Sequence, residues 1–225
     1  PNNTVHHACI EARGGTTNVS VSIKPKGSGA FCLSAPDGTA TGGNARGANA
    51  VDLQTLRSSA SQVASGDGSF LSAGYRNTVS GTWSGIVAGA LNTVPGIESF
   101  IGGGESNDVS GQFSTVLSGR LSKANGANAL AIGFAANARL YGMFSHSSCP
   151  LNLTNAGESQ AFRLTMGVKT TDATPTTLWL DRSATLRLTV ISGYVMLCVV
   201  SVVGIKSDGS ACAVYRRRVA IKNVG

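Results

Sequence analysis

Small, apolar and glycine positions recur along residues 64–138 with a period of fifteen residues. The third position of each fifteen-residue block holds glycine, at Gly66, Gly81, Gly96, Gly111 and Gly126. The eighth position holds an aliphatic residue or alanine, at Leu71, Ile86, Ile101, Val116 and Ala131. Serine fills the sixth position of the first four blocks and glycine fills the eleventh, while the last block runs one residue out of step. Five blocks that share these columns form an internal structural repeat.

A repeat of fifteen residues is too short for a helical hairpin and fits one coil of a β-solenoid, with two short strands joined by two turns. The glycine columns indicate turns, because glycine adopts positive φ at little cost. The small-x-apolar pattern of Ser84, Gly85 and Ile86 points alternate side chains to one face of a strand. Since stacked coils rise by ~4.8 Å, five coils would extend about 24 Å. We therefore predict an all-β fold built on a parallel β-solenoid.

Shorter β signals precede the repeats. Strands are predicted over 5–12, 19–24 and 30–34, and one or two helical turns over 51–61. Three polar residues lie in the small-residue stretch that leads into the coils, at Arg46, Asn49 and Asp52. They suit either a ligand site or a hydrogen-bonded junction that fixes the first coil, and we favour the junction.

Longer β signals follow the repeats. The alternating segments are 161–170, 176–181 and 185–191. Residues 193–205 are nearly all apolar, which is typical of a strand buried on both faces. A turn signal at 207–210 then predicts a hairpin with the returning strand 211–224. The predicted organisation is an N-terminal β segment (1–37), a Gly/Ala-rich lead-in segment (38–62), a β-roll repeat region (63–148) and an antiparallel C-terminal β domain (149–225).

Composition narrows the class of protein. Charged residues make up 13% of the chain and hydrophobic residues 42%, which disfavours helical bundles, coiled coils and disorder. The apolar run 194–203 is too short to span a bilayer. The net charge of +7 suits a partner with a negative surface but is modest for a nucleic-acid-binding protein, so no nucleic-acid partner is expected. The chain has no initiator Met and no secretion signal, and we expect it to be a fragment or processed product.

Burial within one thin stack of coils limits its stability. Each coil carries one or two sizeable aliphatic side chains, and a single stack buries little apolar area against its chain entropy. We therefore expect copies of the chain to supply the missing surface in a closed homotrimer, with a monomeric β-helix as the alternative. The residues predicted for the trimer and coil core are Leu71, Ile86, Ile101, Val116 and Ala131.

Three segments resemble known families. The last coil, GANALAIGFAANA (126–138), resembles the YadA-like head repeat of trimeric autotransporter adhesins. The stretch GTATGGNARGANAVDLQ (38–54) is more similar to bacteriophage tail-fibre and tailspike proteins, where it leads into degenerate coils. The segments KTTDATPTTL (169–178) and GIKSDGS (204–210) resemble a β domain that follows such coils in phage tails. The resemblance covers roughly residues 18–225, and the related C-terminal domains usually extend further, so this domain is expected to be truncated.

The resemblance implies a trimeric, left-handed parallel β-roll with a structural role. The expected function is a fibre or spike of a phage tail in the extracellular virion, which contacts a bacterial surface glycan or outer-membrane receptor and other tail or baseplate proteins. A bacterial trimeric adhesin head is one alternative, although no coiled-coil stalk or membrane anchor follows the coils. A polysaccharide-cleaving tailspike is the enzymatic alternative.

Candidate chemistry for such an enzyme is sparse. The coils contain four carboxylates, at Asp67, Glu98, Glu105 and Asp108. Asp67 and Glu98 stand two coils apart, about 10 Å, which loosely matches an inverting pair. No aromatic or amide cluster surrounds them, and neither the three histidines nor the five cysteines have metal-ligand spacing. We therefore expect no catalytic, cofactor or metal site, and isolated, mostly buried thiols.

Bulky side chains in the repeats and a basic strand are the candidate contact residues. Tyr75 and Trp83 depart from the small-residue pattern of the coils, and Trp83 would either seal the contact between chains or stack on a sugar ring. Arg216, Arg217 and Arg218 would either attract an anionic surface or protect a charged edge strand from aggregation.

Overall fold

The computed structural model describes residues 22–149, 156–170, 176–181, 186–190, 195–205 and 210–223. These ranges contain no helix, so the fold is all-β, in agreement with the prediction. The strands are β1 (Phe31–Cys32), β2 (Val51–Asp52), β3 (Phe70–Leu71), β4 (Thr78–Val79), β5 (Gly85–Ile86), β6 (Thr93–Val94), β7 (Phe100–Ile101), β8 (Gly104–Glu105), β9 (Thr115–Arg120), β10 (Lys123–Ala124), β11 (Leu130–Phe134), β12 (Asn137–Ala138), β13 (Phe144–Ser147), β14 (Ala161–Arg163), β15 (Val195–Ile205) and β16 (Cys212–Lys222).

One continuous parallel ladder organises the repeat region. We call it the first ladder, and its strands in order are β1, β2, β3, β5, β7, β9, β11 and β13. Its register advances by one coil at each step, so that Ile86 pairs with Leu71 on one side and with Ile101 on the other. The result is a parallel β-solenoid of about six turns, which confirms the architecture predicted from the fifteen-residue period.

Two further ladders close each coil. The second ladder joins β4 to β6 and β10 to β12, with single bridges through Asp108 between them. The third ladder runs through single bridges from Leu56 to Glu105 and continues by the pairing of β8 with β9. Each coil therefore has three short extended segments instead of the two predicted. The glycine at the eleventh position turns the chain after the first ladder, and the third ladder follows that turn before the chain reaches the second ladder.

The core is a double column of aliphatic side chains inside the coils. Ile86 and Ile101 of the first ladder and Val79 and Val94 of the second ladder are all 0% exposed within a single chain. The whole eighth-position column is buried in this way, at Leu71, Ile86, Ile101, Val116 and Ala131. These residues lie in the interior of their own coil, as predicted for a coil core, so their burial does not require a neighbouring chain.

Buried asparagines connect successive coils at the fourteenth position. The backbone N–H of Asn92 donates to Oδ1 of Asn77 (3.0 Å), and that of Asn107 donates to Oδ1 of Asn92 (3.0 Å). The amide Nδ2 of Asn92 donates to the carbonyl of Gly104 in the next coil (2.9 Å). Gln54 begins this column by accepting from the backbone of Asn77 (2.8 Å). Each side chain thereby satisfies corner backbone groups that burial would otherwise leave unpaired.

Buried serines do the same at the sixth position. Ser84 Oγ donates to the carbonyl of Gly96 (2.7 Å) and accepts from the backbone N–H of Ser99 (3.0 Å). Ser99 repeats the pattern with Gly111 and Ser114 one coil further on. Each hydroxyl thereby uses its one hydrogen as a donor and its oxygen as an acceptor, which links two coils at this corner.

In both glycine columns a Cβ would overlap the next coil, but the two columns differ in backbone conformation. Gly89, at the eleventh position, has φ of 109°, so it occupies the left-handed region as the turn prediction expected. Gly81, at the third position, shows no positive φ, but a Cβ there would overlap the carbonyl oxygen of Gly96. Close approach of stacked backbones, rather than turn conformation, therefore requires glycine at the third position.

The segment before the repeats is a hydrogen-bonded junction, as favoured from the sequence. Asp52 is fully buried in β2 and pairs with Arg46 Nε (2.8 Å) and Arg57 Nη2 (3.3 Å). Asn49 adopts φ of 55° at a corner of this first coil. The prediction of helical turns over 51–61 is wrong, because Val51 and Asp52 pair with β3 and the two arginines hold the adjoining loop against the carboxylate.

The other flanking predictions have mixed outcomes. β1 confirms a strand within 30–34, whereas 5–12 and the first half of 19–24 lie outside the described residues, and residues 22–24 form no strand. Parallel pairing extends upstream of residue 63, to Phe31, and ends with β13. β14 then pairs with β13 in antiparallel orientation. Residues 176–181 and 186–190 contain no strand, and their only bridge joins Trp179 to Gly167.

The C-terminal hairpin is confirmed, but its burial is not. β15 and β16 pair antiparallel over eleven residues. Leu197 is 80% exposed and all of β16 is exposed, so the expectation of a strand buried on both faces is wrong. No further strand of the described chain pairs with this two-stranded sheet. The expectation of mostly buried thiols is also wrong, since Cys32 and Cys198 are half-buried and Cys149 and Cys212 are exposed.

Substitution of a charged residue at the eighth position tests whether that column is buried. Ile101→Asp should lower the free energy of unfolding by about 3–5 kcal/mol, because a carboxylate would be buried without a partner. Ile101→Val is the matched control and should cost only about 0.5–1.5 kcal/mol. Thermal unfolding followed by circular dichroism measures both. Equal melting temperatures for the aspartate variant and the native chain would contradict burial at the eighth position.

Candidate functional site

An apolar stripe covers the outer face of the first ladder. Its members project away from the coil interior at the seventh and ninth positions, and they are Phe70, Val87, Phe100, Leu117, Leu130, Ile132 and Phe144. Leu117 is 53% exposed, and the rings of Phe70 and Phe100 approach to 6.4 Å across Gly85. A Cβ at Gly85 would overlap the Phe70 ring, so glycine lets the two aromatic rings meet. An exposed apolar strip that runs along a ladder is typical of a protein contact.

The outer face of the second ladder has the opposite character. Its outward positions carry Thr78, Thr93, Asp108, Lys123 and Asn137. These polar side chains alternate with buried valine or alanine along the same strands. The solenoid therefore has one outer face suited to water and one suited to a partner.

The third ladder presents a mixed surface. Tyr75 lies at this ladder, is exposed, and stacks with the guanidinium of Arg76 at 5.5 Å. Arg120 forms an exposed ion pair with Glu105 (3.3 Å) and lies 5.4 Å from the Phe134 ring. Exposed pairs of this kind contribute little to stability. Tyr75 is therefore available for contact but lies on a different surface from the apolar stripe.

A row of exposed residues lies at the corner between the second and first ladders. We call this row the corner ridge, and its members are Gly68, Trp83, Glu98, Phe113 and Asn128. All five have φ between 53° and 62°. The backbone N–H of each ridge residue donates to a carbonyl of the preceding coil, as from Trp83 to Asp67 (2.9 Å). This network fixes the ridge backbone whatever side chain it carries.

Trp83 is the most prominent side chain of the corner ridge. It is 69% exposed, and its indole lies over Gly68, where a Cβ would overlap the ring. The five-membered ring of the indole thus lies against Gly68, and most of the side chain is open to solvent. Phe113 stands two coils away on the same ridge and is 48% exposed.

The three arginines predicted as a basic patch lie on β16 but do not share one face. Arg216, Arg217 and Arg218 pair with Ser201, Val200 and Val199. Because side chains alternate along a strand, Arg216 and Arg218 project to one face of the hairpin and Arg217 to the other. The hairpin is therefore cationic on both faces.

The coil carboxylates are distributed over separate surfaces. Asp67 accepts a backbone hydrogen bond from Ala48 (2.8 Å), and Glu98 is exposed on the corner ridge. Glu105 pairs with Arg120 on the third ladder, and Asp108 lies on the second. Asp67 thus has a backbone hydrogen-bond partner. Of the other three coil carboxylates, only Glu98 lies at the same corner of the coil as Asp67.

A cavity of about 370 Å³ lies beside the last coil. Asn137, Arg139, Gln160 and Phe162 are among the residues that line it, and Glu158 contributes a carboxylate. Among the described residues, no group of three or more His, Cys, Asp or Glu side chains could hold a metal ion. The same part of the chain contains no helix long and apolar enough to cross a membrane.

Two features of the coils, one internal and one on the surface, were not predicted from the sequence. The corner asparagines Asn77, Asn92 and Asn107 form a visible fifteen-residue column, which would have indicated an internal polar ladder. The apolar stripe was also visible in the sequence, as the apolar residues that flank the buried eighth position.

Comparison with known protein families, curated proteins and solved structures finds no match to this chain.

Burial raises the pKa of the Asp108 carboxyl, and the nearby Lys123 acts in the opposite direction with a smaller effect. A raised pKa in the folded state means that the protonated acid is favoured there, so stability is lost as the pH rises through the folded pKa. Asp108→Asn should therefore stabilise the protein at pH 7 by less than about 1 kcal/mol. Two coils further along the second ladder the equivalent position already holds an amide, Asn137, so the fold accepts the substitution.

Melting temperatures of the two chains at pH 7 and at about pH 3, below the ordinary range of aspartate, measure this effect. The difference should vanish at the lower pH, where both side chains are neutral. A variant less stable than the native chain at pH 7 would show that the ion pairing with Lys123 outweighs the cost of burial.

Proposed function

We propose that this chain is a structural and host-recognition component of a phage tail, assembled as a homotrimeric fibre or spike. The observation that carries the proposal is the contrast between the apolar stripe and the polar outer face of the second ladder. A rigid solenoid with one apolar flank is suited to side-by-side association of copies. Cyclic symmetry would place the same flank of each copy toward one axis and leave the polar face outward.

The sequence resemblance supplies the biological part of the proposal. The stretch 38–54, similar to phage tail proteins, forms the junction from which the coils start. The proposed partners are other tail or baseplate proteins at one end and a bacterial surface glycan or outer-membrane receptor along the exposed surfaces. The proposed location is the tail of the extracellular virion. Binding of the purified protein to intact cells of at least one strain in a bacterial panel tests this role.

Assembly gives a direct test of the apolar stripe. The native protein should have a mass of roughly three times 22.8 kDa by mass photometry. Leu117→Lys places a charge in the stripe and should shift the protein toward monomer, because the contact would bury an unpaired ammonium. Thr93→Lys, on the exposed polar face of the second ladder, is the matched control and should leave the trimer intact. A folded native monomer at micromolar concentration would contradict the trimer.

The arginines of β16 allow steering by charge to be separated from specific recognition. Replacement of Arg216, Arg217 and Arg218 by serine should slow binding to immobilised lipopolysaccharide mainly at low ionic strength, since the Debye length shrinks to about 10 Å at 0.1 M salt. Replacement of all three by lysine keeps the charge and should bind as the native chain does. An equal loss at high salt for both variants would indicate a specific arginine site instead.

A further inference from the structure

The corner ridge carries bulky side chains where the backbone favours glycine or asparagine. Residues with φ near +55° are strained unless they are glycine, and asparagine tolerates this region best among the others. The ends of the ridge obey the rule with Gly68 and Asn128. Its middle breaks the rule with Trp83 (φ 53°) and Phe113 (φ 57°).

The fold does not explain these two aromatic side chains. Neither is buried, so neither returns the conformational cost through packing in the core. The hydrogen bond that holds the ridge uses only backbone atoms and would form equally with glycine or asparagine. The same backbone conformation recurs at the other corner of the coil, at Arg76 and Leu91, so the two exposed aromatic rings are what set the ridge apart and point to a role in binding.

The arrangement of the ridge resembles neither a core nor a contact between copies. The apolar stripe on the first ladder already offers a surface for association of chains. A protein seam along the ridge would bury the exposed Glu98 carboxylate between Trp83 and Phe113, and an unpaired buried charge is costly. Water-accessible aromatic rings beside a carboxylate suit a ligand that is apolar on one face and rich in hydroxyl groups at its edge.

We propose that the corner ridge binds an extended polysaccharide, with Trp83 and Phe113 as stacking platforms and Glu98 as a hydrogen-bond acceptor between them. The apolar face of a sugar ring packs on an aromatic ring. The two platforms stand two coils apart, about 10 Å along the solenoid, so successive parts of one chain can reach both. The absence of a Cβ at Gly68 leaves room for the indole that would stack on the sugar.

This inference rests on the proposed function, because it assigns the glycan contact to one surface. A single convex ridge would bind weakly, since it encloses little of the ligand. Three copies in a trimer would present three ridges to a polymer or a cell surface and raise the overall affinity through multivalency.

The variant Trp83→Asn/Phe113→Asn removes both platforms and relieves the backbone strain. Leu91→Asn is the matched control, because Leu91 is exposed, has φ of 58° and makes the same kind of backbone hydrogen bond at the other corner of the coil. The probe is polysaccharide extracted from a strain whose cells the native protein binds. The double variant should bind this extract at least tenfold more weakly, while Leu91→Asn binds as the native chain does, and both should keep the native mass and melt no lower than the native chain.

Four results would overturn the proposal, and they distinguish its failure from failure of the proposed function. Binding of cells without binding of the extract would leave host recognition standing and remove the glycan ridge. Equal binding of the double variant and the native chain would place the glycan site elsewhere. A changed mass in the double variant alone would show that the ridge is a contact between copies. Failure of the native protein to bind any strain would reject the proposed function itself, and the inference with it.

Discussion

The hydrogen bond between a buried side chain in one coil and the backbone of the next coil is the interaction on which this fold depends. A fifteen-residue coil encloses only one or two aliphatic side chains, so its corners lie too close to the interior for water to satisfy them. The columns that begin at Asn77 and Ser84 pair these corner groups coil by coil. Because each side chain serves its neighbour, no coil is stable alone, and stability is approximately a sum of contacts between adjacent coils.

Because these hydrogen bonds lie inside the stack, the fold places few constraints on the side chains of the outer surface. The side chains that hold the stack are internal, and the outward positions are constrained only by the alternation of the strands and by the corner backbone. One flank can therefore be apolar, another polar and a corner aromatic without any change in the core. Trp83 and Ile86 are three residues apart in the sequence, yet one is mostly exposed and the other fully buried. Surface chemistry can change on such a scaffold while the fold stays the same.

Features set by the repeat period are predictable from the sequence, whereas features set by corner geometry are mostly not. The solenoid and the buried column at Ile86 and Ile101 were predictable, because small and apolar residues recur at fixed spacing. The strand at Asp52 was not, since an aspartate fits an internal column only when charged partners neutralise it, and no residue pattern showed that Arg46 and Arg57 both turn toward it. The left-handed conformation of Trp83 was also hidden, because tryptophan gives no signal for it. The exposure of β15 could not be deduced, since an apolar strand does not specify what covers it.

β14 has a consequence for how far the stack can grow. A parallel ladder ends in a row of free backbone donors and acceptors, which would accept the first coil of another molecule as readily as its own next coil. β14 occupies that row on β13 in the reverse direction and is only three residues long. An incoming coil meets an antiparallel edge in place of the template that it would need, and the tight corners of the coil cannot follow. The short reversed strand therefore ends the first ladder with an edge that a further parallel coil does not match, and short edge strands of this kind limit edge-to-edge association.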